Sequence, residues 1–100
     1  MSQAVPDPVL ELLARSLAAW GIAGEVQREG SGGVRLEAAG RTLRVARAAP
    51  DLPFRWTVAE NGRTRGCMGI PGLLRTVRSG LDPAWRPVRL RIAPLPLVPP

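Results

Sequence analysis

The sequence predicts an α+β fold, a two-layer sandwich in which an antiparallel sheet of four to six strands carries two helices on one face. Three observations lead there. Leu10, Leu13, Leu17 and Trp20 recur at three- and four-residue spacing near the start, which is the apolar stripe of an amphipathic helix. Short runs with period-two alternation follow, separated by glycine-containing turns. A second helical stripe, Leu73, Leu74, Val77 and Leu81, completes the order.

The first helix is expected from about Pro8 to Trp20. Asp7 offers a carboxylate to cap free backbone N–H groups, proline in the first turn gives up no bonded donor, and Gly21 suits a left-handed C-cap. Leu12, Ala18 and Ala19 widen the apolar surface of this helix. Glu25 to Glu29 reads as a weak strand with Val26 inward, followed by a loop at residues 30–33.

Val34, Leu36 and Ala38 then alternate with Arg35 and Glu37, Ala39-Gly40 turns the chain, and Leu43 and Val45 alternate with Thr42, Arg44 and Ala46. With Ala38 opposite Arg41, Leu36 meets Leu43 and Arg35 meets Arg44. The second pair sets two like charges side by side on the outer face, an arrangement that is mildly destabilising unless an acid or a bound anion sits nearby. Pro50 and Pro53 would interrupt a ladder, so residues 48–53 are a connection.

Residues 54–80 carry the sharpest local signals. Phe54, Trp56 and Val58 fall on one strand face and Arg55, Thr57 and Ala59 on the other. Asn61-Gly62 suits a type I′ turn, which pairs Glu60 with Arg63, Val58 with Arg65 and Trp56 with Cys67. The return strand, Arg63 to Met68, is poor in apolar residues and belongs at a sheet edge. Gly66, Gly69 and Gly72 lead into a helix opened by Pro71 and closed by Gly80, with Arg75 and Arg78 on its outer face.

Asp82-Pro83 breaks the chain again, and Val88, Leu90 and Ile92 alternate with Arg89 and Arg91 in a last strand suited to a free edge. Residues 1–93 are expected to form a single domain, and residues 94–100 a proline-rich C-terminal tail of polyproline character.

All 14 basic residues are arginine, a bias that GC-rich codons also produce. Their placement is uneven: residues 1–40 hold Arg15, Arg28 and Arg35 against Asp7, Glu11, Glu25, Glu29 and Glu37, whereas residues 41–100 hold eleven arginines against Asp51, Glu60 and Asp82. A net charge of +6 with such asymmetry raises the expectation of a polyanionic partner. Acidic residues at the start, no apolar run long enough to span a bilayer and a single cysteine fit a cytoplasmic protein that engages no membrane.

Histidine and tyrosine are absent, Cys67 stands alone and the carboxylates are scattered, so neither an enzyme nor a metal or cofactor site is expected. Candidate anion or nucleic-acid contacts are Arg35, Arg44, Arg55, Arg63, Arg65, Arg75 and Arg78. Arg63, Arg65 and the start of the second helix form one candidate anion site, against the plainer reading of a tight connection with solvated arginines. Cys67 reads as a small buried residue beside Trp56 in preference to a reactive thiol. Trp20, Trp56 and Trp85 read as core anchors, with Trp85 the one placed for exposure.

The order of helix, meander and helix is similar to that of double-stranded-RNA-binding domains and of small secretion chaperones, but no motif carries either likeness and no family is assigned. The function expected is a small non-catalytic binding or accessory module that acts on a protein partner, or as a homodimer, through an exposed sheet face or edge. The alternative is nucleic-acid backbone binding by the arginine-rich second half.

Overall fold

The computed structural model describes residues 4–85. It is the expected α+β arrangement: helix α1 (Asp7–Ala19), strands β1 (Gly24–Arg28), β2 (Val34–Ala38), β3 (Arg41–Arg47), β4 (Trp56–Glu60) and β5 (Arg63–Cys67), then helix α2 (Ile70–Leu81). The strands form one antiparallel meander in the order β1-β2-β3-β4-β5. The last strand proposed from sequence, residues 88–92, and the 94–100 tail lie outside the described residues, as does the proposed domain boundary at 93. Among the described residues no helix is long and apolar enough to cross a membrane.

Register follows the turn chemistry. Ala39 and Gly40 adopt φ of 53° and 72°, Asn61 and Gly62 adopt 50° and 79°, and both turns are therefore of the two-residue kind whose twist matches the strands. The resulting pairs are those expected, Leu36 with Leu43, Arg35 with Arg44, Trp56 with Cys67, Val58 with Arg65 and Glu60 with Arg63.

One sheet face is the core. Val34, Leu36, Ala38, Leu43, Val45, Trp56, Val58 and Cys67 are buried against Val9, Leu13 and Leu17 of α1 and Leu73, Val77 and Leu81 of α2. Helix α1 lies over the β1 side and α2 over β3, β4 and β5. Leu10, Trp20 and Leu74, expected in the stripes, are half-buried at its margin, and Val5 and Val9 fill the core in their place. Gly21, at φ 71°, follows α1 as foreseen.

Three local expectations are corrected. Asp7 does not cap α1: the N-cap is Pro6 with no side-chain bond, and the Asp7 carboxylate instead accepts from Arg28 Nη2 at 2.7 Å. Gly80 does not close α2, which runs on to Leu81. A side chain there would meet Leu43 Cδ2 at 2.9 Å, so its glycine lets the helix settle on the sheet. Phe54 does not share the inner face with Trp56. Arg55 donates its N–H to the carbonyl of Cys67 at 2.9 Å although Cys67 already faces Trp56, so two residues oppose one. This extra residue, as in a β-bulge, offsets the alternation, and the Phe54 ring lies over Gly66 instead.

Arg28 ties the start of the chain to the sheet. Its guanidinium donates to the Val5 carbonyl at 2.7 Å, to Asp7 and to the Gly32 carbonyl at 3.2 Å, while Val5 N–H donates to the same Gly32 carbonyl at 2.9 Å. Arg28→Ala is expected to cost about 1 to 2 kcal/mol, since three acceptors lose a charged donor and the Gly32 carbonyl alone keeps another, the Val5 N–H. Urea unfolding checks this, and Arg28→Lys is expected to recover only part, because an ammonium cannot reproduce the fork.

Candidate functional site

The seven arginines singled out in the sequence do not form one surface. Arg35 and Arg44 stand on the sheet face that the helices leave open, with Glu37, Thr42 and Thr57. Acids lie beside both, Glu29 at 3.5 Å from Arg44 Nε and Glu37 beside Arg35, and Arg35 Nη2 also donates to the Gln27 amide oxygen at 2.9 Å. Arg35 Nε is 3.1 Å from Glu37 Oε1, an ion pair without hydrogen-bond geometry. Arg55 is exposed just ahead of β4 and Arg75 is exposed on α2. Arg78 departs from its expected outward position: it is half-buried, its guanidinium 5.3 Å from the Trp20 ring centre and 4.9 Å from that of Trp85.

Arg63 and Arg65 are set apart by parity and by edge. Because Val58 and Glu60 belong to the inner face, the residues opposite them in β5 do too, so these two arginines project toward the helix layer at the rim of the sheet. There they line a cleft of about 240 Å³ with Leu43, Val58 and Glu60 on its sheet side and Thr76, Ser79 and Gly80 of α2 opposite. A third arginine, Arg41, completes the lining and holds Glu60 through an Nη1–Oε2 contact of 3.2 Å. Three guanidiniums thus face one carboxylate, and among the described residues Arg63 and Arg65 have no acidic partner.

Arg41 was not among the residues singled out. Its signal was its place in β3, two residues before Leu43 and therefore on the inner face. Conversely, the start of α2 does not join Arg63 and Arg65. Gly66, Met68, Gly69, Gly72 and Arg75 line a separate hollow there, whereas the two arginines open onto the later turns of the helix. Cys67 is buried, with Sγ donating to Thr76 Oγ1 at 3.4 Å, which matches its plainer reading.

Comparisons with protein-family models, with curated proteins and with solved structures find no match. The site therefore stands on its own geometry.

That geometry includes a strand edge left open by the described residues. Among them β5 is hydrogen-bonded to β4 alone, and Arg63 to Gly66 are four exposed residues in a row. In a two-residue hairpin the residues flanking the turn form a hydrogen-bonded pair, so Arg63, Arg65 and Cys67 direct their backbone groups to β4. Thr64 and Gly66 direct theirs outward. Met68, 71% exposed, follows at the end of this edge.

Proposed function

We propose that this protein is a small non-catalytic binding module that takes up an extended segment of a partner protein along the free edge of β5. The observation that carries this reading is the run of exposed residues from Arg63 to Gly66 on the strand that ends the sheet among the described residues, with the N–H and C=O groups of Thr64 and Gly66 turned away from β4. Such a row is a template for an added strand. The described arginines lie on the open face, beside the edge, between two indoles and along α2, a dispersal that supports a local docking edge over a continuous phosphate track. A second copy is a poor occupant of the same edge. Antiparallel β5–β5 pairing through the outward groups of Thr64 and Gly66 would set an arginine of one copy against an arginine of the other.

Thr64→Pro tests the proposal. Proline removes an outward N–H that β4 does not use, and edge positions tolerate it. Peptides selected from a display library of random linear octamers are expected to bind the parent, to protect the Thr64 and Gly66 amides from hydrogen exchange, and to bind folded Thr64→Pro about tenfold more weakly or worse. Equal binding to both proteins, or no protection at these amides, overturns edge addition.

A further inference from the structure

The same edge specifies what it binds, and the following rests on the strand-addition reading. We infer that the segment received by β5 is acidic at two positions two residues apart, with an apolar residue beside them.

The argument begins with the two sides of the edge. On the helix side, Arg63 and Arg65 stand two residues apart and line the cleft that also holds Arg41. Residues of an added strand that face them also stand two apart and project to the same side. In antiparallel addition these are the non-hydrogen-bonded pairs, because Thr64 and Gly66 exchange the backbone bonds, and side chains approach more closely in such pairs. A carboxylate at each position meets one guanidinium, while the hydroxyls of Thr76 and Ser79 line the far wall of the cleft. Glu60 is engaged by Arg41 through Oε2 at 3.2 Å and forms no ion pair with Arg63 or Arg65, although it stands opposite Arg63.

On the other side of the edge, Gly66 carries no side chain and the Phe54 ring covers it; a Cβ built there would lie 2.5 Å from the ring. A residue facing Gly66 therefore lies beside an aromatic surface, with exposed Met68 next along the chain. Apolar side chains fit that position.

The order of these features reads out direction. An antiparallel segment meets Gly66, Arg65, Thr64 and Arg63 in turn, which gives apolar-acid-any-acid from its N-terminus; a parallel segment gives acid-any-acid-apolar. Residues 88–92 of this chain, Val-Arg-Leu-Arg-Ile, carry no acid and do not match this order, whereas an acidic segment of another protein does.

Fluorescence anisotropy on the full chain tests this with amidated, labelled octapeptides carrying Val-Glu-Thr-Glu or Glu-Thr-Glu-Val at the centre, and with versions in which Gln or Lys replaces both Glu. One Glu peptide is expected to bind about fivefold or more tightly than its Gln version, with the gap narrowing as salt screens the exposed pairs. The doubly reversed variant R63E/R65E is expected to prefer the Lys peptide, a rescue that general damage to the fold could not produce. Equal binding of Glu and Gln peptides, with Thr64 and Gly66 amides still protected, overturns the acidic specificity and leaves edge addition standing. Absence of both binding and protection overturns edge addition and this inference with it. Binding of duplex RNA or DNA that abolishes with R63E/R65E while the peptides do not bind assigns the arginines to phosphate instead and overturns the inference.

Discussion

Replacing Trp56 by alanine is expected to destabilise the protein by about 3 to 5 kcal/mol, the range of large aromatic truncations in cores. Trp56 is 8% exposed, opens β4 on the core face and stands opposite Cys67 in the edge hairpin. Its indole is the one large ring in that core, and Arg47 lies over it at 5.8 Å. Removal leaves a cavity where β4 turns away from the bulge at Arg55, and the neighbouring Val58 and Cys67 are too small to fill it. Urea unfolding followed by circular dichroism measures the loss. A variant within about 1 kcal/mol of the parent would show that the indole is not a core element.

Leu43→Ala is expected to cost about 2 to 5 kcal/mol, and the loss should depend on residue 80. Leu43 is fully buried beneath α2, and a Cβ at Gly80 would sit 2.9 Å from its Cδ2 and 3.6 Å from its Cγ. In the parent, Gly80→Ala therefore sets the better helix propensity of alanine, about 1 kcal/mol, against crowding of the leucine. With Leu43 truncated the crowding is gone, and the alanine methyl enters the vacated space. The substitution at 80 is thus expected to stabilise the Leu43→Ala protein more than it stabilises the parent. A double-mutant cycle measures this coupling, and identical effects of Gly80→Ala in both backgrounds would show that α2 does not rest on Leu43.

These two sites also show where sequence carries structure and where it does not. The strand pairs on both sides of Ala39-Gly40 and of Asn61-Gly62 were legible, because a two-residue turn sets the register of everything it joins. Parity then placed Trp56, Leu43 and Leu36 in the core. Phe54 was misplaced because a single inserted residue at Arg55 reverses parity without any mark in the alternation itself. Gly80 looked like a helix stop since a glycine near a helix end reads the same whether it terminates the helix or allows close packing. Asp7 had the chemistry of a cap, but Arg28, far along the chain, competes for its carboxylate. Of the rim cleft, Arg63 and Arg65 were placed from the hairpin. Arg41 was not, because its meeting with Glu60 spans 19 residues of sequence and needs the β3–β4 pairing to be seen.

The single thiol gives this small fold a built-in clock. Cys67, the last residue of β5, is 4% exposed with its Sγ against Thr76 of α2, so a thiol reagent is expected to reach it mainly when the hairpin edge and the second helix separate. Modification at low denaturant therefore counts openings of that one unit, and the ratio of its rate to that of an unfolded thiol yields the local opening free energy directly. Comparing that free energy with global unfolding separates two pictures of the edge hairpin: a rim that breathes while the β1–β3 half stays closed, or a strand that lets go only when the whole sandwich does. Under the proposed strand addition, a segment docked along β5 is expected to close the same seam and slow the same clock.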